Sequence, residues 1–140
     1  MRGDRGSAAV EMAVLAPAII ALFVVLMIAG RISTARQAIE AAAFDAARTA
    51  SLARDGGDAQ TRAEAAATAT LAAQGLTCSS ITVTVDTSQF AVPVGQPAHV
   101  TATVVCHADF SDIALPGMPG NTTLSSSFVS PLDQYRKRTP

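Results

Sequence analysis

The side chains best placed to do chemistry fall into four small groups. Glu11 stands four residues after Ser7, so in a helix the two share a face one turn apart. Cutting the chain between Gly6 and Ser7 would leave a cationic α-amine beside that carboxylate, which is the chemistry of a counter-charge. In an uncut chain Glu11 would instead sit among lipid headgroups at the end of an ordinary anchor. Cys78 and Cys106 are expected to pair in an oxidising compartment and to remain buried thiols in a reducing one. Closing a loop of that length is worth ~3.6 kcal/mol by chain-entropy reasoning. His99 and His107, eight apart on one strand, would share a face yet lie ~26 Å apart, too far to ligate one metal. Neighbouring Cys106 and His107 point opposite ways on a strand, which is not metal-site spacing. Asp109 and Asp112 flank Phe110, and a loop with two acids is ordinarily just solvated.

Other chemical signatures are missing. There is no glycine-rich phosphate loop, nucleophile elbow or paired-carboxylate motif, so neither an enzyme nor a cofactor or metal is expected. Asn121-Thr122-Thr123 fits a glycosylation acceptor, a pattern common by chance.

The element that positions Ser7 and Glu11 is an uninterrupted apolar run. Residues 12–29 contain no charged or hydrogen-bonding side chain, and eighteen residues at about 1.5 Å each make a helix of ~27 Å, close to the hydrocarbon thickness of a bilayer. A small soluble domain has no interior thick enough to hide such a helix on every side. A cleaved secretory signal is rejected because the run is too long and residues 27–29 make a poor cleavage site. The transmembrane helix is therefore placed at 7–30, with Pro17 removing one backbone bond inside it.

Beyond the span, helical spacing continues to residue 53, with Ile32, Ala35, Ile39, Ala42, Ala46, Ala50 and Ala53 forming a narrow stripe of mostly small side chains. From Ser7 onward this could be one rod of ~70 Å. Arg36 with Glu40, and Asp45 with Arg48, stand at helical pair spacing. Asp55-Gly56-Gly57-Asp58 breaks the helix, and Asp58 is the expected cap of a second helix over residues 59–73, stopped by Gly75. The period then changes to two. Ile81, Val83 and Val85 alternate with threonines, and Val100, Ala102, Val104 and Cys106 form the apolar face of a second strand. Residues 93–97 and 116–120 carry turn chemistry, and 124–129 can make a third strand.

The predicted fold is α+β: a long N-terminal transmembrane helix continuing into a helical hairpin, then a small antiparallel sheet of about three strands. The expected divisions are 1–6 leader, 7–30 span, 31–75 helical part, 76–129 sheet part and 130–140 mobile tail. Net charge is −1 and charged residues are 15%, so no overall field points to nucleic acid. Arginines flank the span on both sides (Arg2 and Arg5, Arg31 and Arg36), so charge alone does not set its orientation.

The string Arg5-Gly6-Ser7-Ala8-Ala9-Val10-Glu11-Met12-Ala13, followed by Pro17 inside the span, closely resembles the N-terminus of TadE-like pseudopilins, minor components of the tight-adherence (Tad/Flp) pilus machinery. Gly6, Ser7 and Glu11 match that family's processing pattern; Met12 departs from its usual Phe or Tyr. The resemblance implies cleavage after Gly6 by a prepilin peptidase, and Glu11 neutralising the Ser7 amine of an adjacent subunit. It implies a cytoplasmic N-terminus and an extracytoplasmic C-terminal part, with the bilayer, the peptidase and other pilins and pseudopilins as partners. The chain beyond residue 30 is longer than in a major Flp pilin, which favours a minor pseudopilin over a fibre-forming subunit. The rival reading is an unprocessed single-pass envelope protein whose ectodomain binds a partner.

Overall fold

The computed structural model describes residues 5–109 and 120–137, with residues 5–9 described in backbone only. Residues 1–4 of the expected leader, Asp112 of the acidic pair with the intervening Phe110, residues 116–119 of the second predicted turn and residues 138–140 of the tail lie outside that range. Two helices come first, α1 (Arg5–Ser51) and α2 (Gly56–Ala73), then three strands, β1 (Cys78–Asp86), β2 (His99–Asp109) and β3 (Asn121–Pro131). The fold is α+β, as the change of period predicts. The chain divides into two compact units, Met1–Thr34 and Ala35–Pro140.

In the first unit the helix runs through Pro17, and its apolar side chains stay uncovered: Val14, Ile20, Phe23 and Leu26 are each more than half exposed. The helix is long and apolar enough to cross a bilayer, with none of its most apolar stretch buried.

The second unit holds the core. From α1 it takes Ala35, Ala38, Ile39, Ala42, Ala43, Ala46, Ala47 and Ala50, two ridges at i, i+4 spacing and not the single narrow stripe expected. Ile32, assigned to that stripe by spacing, is exposed and belongs to the other unit. Alanine's short side chain lets either ridge be covered closely, so periodicity underestimates the buried width. From α2 the core takes Ala59, Ala63, Ala67 and Leu71, again every fourth residue. Fourteen of the 23 buried apolar side chains among the described residues are alanine, so most of the apolar contribution rests on a few larger groups, Phe90, Leu71, Val100 and Val104 foremost.

The break between the helices differs from expectation in one detail. Asp55, not Asp58, caps α2: its backbone is extended and its Oδ1 accepts the Asp58 N–H at 2.8 Å. Asp58 lies in the first turn, where its charge suits the helix dipole, and pairs with Arg62 at 2.8 Å. Asp45 accepts a bond from Thr70 Oγ1 at 2.7 Å, tying α1 to α2, where helical spacing suggested Arg48. Gly75 ends α2 at φ 69°, and the Leu76 N–H reaches back to Leu71 O, a closure that positive φ makes possible.

The sheet is an antiparallel meander in the order β1-β2-β3. Val83 faces Val104 and Val104 faces Ser126; Val85 faces Ala102 and Ala102 faces Phe128. Val100, Ala102, Val104, Cys106 and Ala108 are all fully buried, the apolar face read from the alternation, while Thr101, Thr103 and Val105 turn outward. Phe44 of α1 meets Phe128 of β3 edge-on, with ring centroids 4.8 Å apart. A 3₁₀ turn (Ser88–Ala91) delivers Phe90 to the core. The third strand extends to Pro131 and Leu132 is buried, so ordered packing passes residue 129, where the strand was expected to end. Leu132 N–H donates to Ala98 O at 2.9 Å, which fixes that extension.

Candidate functional site

Gly6, Ser7 and Glu11 all lie on the helical backbone of α1, so the four-residue spacing between Ser7 and Glu11 is one turn in the structure. Glu11 is exposed and adjoins Val10 and Met12, both strongly exposed. The sequence places the first carboxylate of the helix at the head of an apolar surface, and the structure leaves that surface unburied. Such a surface can insert in lipid or pack against another helix, and a carboxylate at its edge favours a cationic partner.

Cys78 and Cys106 are joined, with their Cα atoms 5.6 Å apart. Cys78 opens β1, where a register irregularity between Cys78 and Ser80 makes Ser79 an extra residue; Ser79 Oγ donates to His107 O at 3.1 Å. Cys106 is fully buried in the core. The bond thus ties the first strand to the central one on the core side.

The histidines have separate, local partners. His99 Nε2 lies 3.0 Å from Gln89 Nε2, and the His99 N–H donates to Gln89 Oε1. His107 Nδ1 lies 2.9 Å from Thr123 Oγ1. Among the described residues no group of three or more His, Cys, Asp or Glu is placed to hold a metal ion. Asn121 and Thr122 are exposed at the start of β3.

One arrangement has no counterpart in the pattern of the sequence. Gln60 of α2 lies alongside β1: its Nε2 donates to Val83 O at 2.7 Å and its Oε1 accepts the Val85 N–H at 3.0 Å. The side-chain amide occupies the position a neighbouring strand would take. A glutamine at α2's second turn gives no sign of this, because the contact joins residues 23 and 25 apart.

Residues 6–48, or 43 of the 140, match the family model described as TadE-like protein. Comparison with curated proteins and with solved structures finds no match. The matched segment takes in Gly6, Ser7, Glu11, the whole apolar helix and most of the alanine ridges. Over that N-terminal helix the chain is similar to TadE-like proteins.

Proposed function

We propose that the chain is a minor pseudopilin that takes part in assembling a Tad/Flp-type pilus or secretion apparatus, after a prepilin peptidase cuts between Gly6 and Ser7. The observation that carries this reading is Gly6-Ser7 followed one turn later by Glu11, at the head of an apolar helix that no described residue buries. Cleavage frees the Ser7 amine, and in a low-dielectric setting Glu11 of an adjacent subunit is its natural counter-charge. Helix packing supplies most of the association, and the amine–carboxylate pair sets the axial register. The N-terminus lies in the cytoplasm and the unit Ala35–Pro140 outside, a placement supported by the disulfide, which persists in oxidising compartments. The role is structural and not enzymatic; the partners are the bilayer, the peptidase and other pilins and pseudopilins of the Tad system.

The test is the intact mass of the protein purified from a host that expresses the peptidase. The expected mass is that of a chain beginning at Ser7, and Gly6→Leu should restore the full-length mass in the membrane fraction. A wild-type chain that retains residues 1–6 would overturn the processing step and favour an unprocessed single-pass anchor.

A further inference from the structure

The two edges of the sheet are not equivalent. Val83 O and Val85 N–H of β1 point away from β2, since both bond Gln60, so the odd residues of β1 face its outer edge. Gln60 blocks that edge, and the irregularity at Cys78 and Ser80 distorts its start. Following the registers across the sheet, the even residues of β2 bond β3, and the even residues of β3 bond β2. The outward-facing backbone of β3 therefore belongs to Asn121, Thr123, Ser125, Ser127 and Val129, and among the described residues no hydrogen bond covers it. Pro131 has the same parity, so its lack of an N–H costs the sheet nothing.

This open edge lacks the usual protections. Sheets ordinarily guard an edge with lysine, an inward charge, a bulge or a short strand. β3 is eleven residues long, carries no charge and pairs without a register shift.

We infer that β3 is a pairing edge for a second copy of this chain, joined antiparallel about a two-fold axis at Ser125. In that register Ser125 faces its own counterpart, Thr123 faces Ser127 and Asn121 faces Val129, all outward-facing residues, and Pro131 falls outside the ladder. No charge opposes a like charge. One open edge per chain also sets the size of the assembly. Pairing β3 with β3 consumes both open edges and leaves a six-stranded sheet bounded at each end by a Gln60-blocked β1, so growth stops at two. The inference does not depend on leader cleavage, and its test reads a different quantity.

The experiment uses the full chain in detergent micelles, with detergent-corrected mass from light scattering. Wild type should be a dimer, and Ser125→Cys should give a disulfide-linked dimer on mild oxidation. Ser125→Lys, at an exposed position, should keep the circular dichroism spectrum and lose the dimer. Gln60→Ala opens the second edge and should shift the mass to species larger than two. A monomeric wild type overturns the inference. So does a dimer that survives Ser125→Lys and does not cross-link through Ser125→Cys, because its contact then lies elsewhere, in the apolar helix.

Discussion

Breaking the Cys78–Cys106 bond should be the most damaging single chemical change to the unit Ala35–Pro140. The two residues are 28 apart, and releasing a loop of that length returns about 3.6 kcal/mol of chain entropy to the unfolded state. An unfolding entropy of roughly 0.2 kcal/mol/K for a unit of this size converts that into a fall in melting temperature of about 15–20 °C. The loss is large against this core, where alanine supplies most of the buried side chains and few groups bury much area. Two substitutions separate the cross-link from local packing. Cys78 is half-buried, so Cys78→Ser removes the bond and leaves the Cys106 thiol as a small apolar group in place. Cys106→Ser removes the same bond and also puts a hydroxyl at a fully buried position, which costs about 1–3 kcal/mol more if it finds no partner. The expected order of melting temperature, followed by far-UV circular dichroism, is wild type, then Cys78→Ser together with reduced wild type, then Cys106→Ser. If reduced wild type melts within 2–3 °C of the oxidised protein, an effect below roughly 1 kcal/mol, the cross-link does not hold this unit and the reasoning fails.

Three further outcomes are expected. Glu11→Ala leaves the apolar run of residues 12–29 intact, so the chain should still fractionate with membranes but should not co-purify with the pilus partners proposed above, with Glu11→Asp between; undiminished co-purification would reduce Glu11 to a headgroup-level residue. A double-mutant cycle on Phe44→Ala and Phe128→Ala should give a coupling of about 0.5–1.5 kcal/mol for the edge-on rings, and additive losses would show that they do not interact. The Asp86 carboxylate is held below its ordinary pKa first by the Ser88 hydroxyl, then by the Ser88 N–H at 3.0 Å, with the charge of His99 adding to it. A depressed folded-state value means that its contribution is present above the unfolded pKa and is lost as the pH falls through the folded one. Carbon-detected titration should show Asp86 ionising below its usual range and Ser88→Ala moving it back up; no movement would remove Ser88 as the cause.

The parts of this protein that depend on near neighbours in the chain were legible without a structure. Residues 12–29 had to be an exposed span, because no small domain can cover eighteen apolar residues on every side. The change of period after Gly75 and the strict alternation of β2 announced helices followed by a sheet with Cys106 on its apolar face. Gly6, Ser7 and Glu11 are proposed as a processing and assembly site on spacing and motif alone, and the structure adds only that they share one helix. What needed the tertiary structure involves partners distant in sequence or a choice between equals. Asp55 and Asp58 are both good caps, and only the backbone path into α2 selects the first. Two alanine ridges of α1 are buried where its own periodicity suggested one stripe. Phe44 with Phe128, and Asp45 with Thr70, are contacts made by folding and have no local signal. The difference between the blocked edge of β1 and the open edge of β3 depends on a single glutamine 23 and 25 residues from the backbone groups it bonds, because a backbone hydrogen bond is satisfied by whichever group folding brings to it.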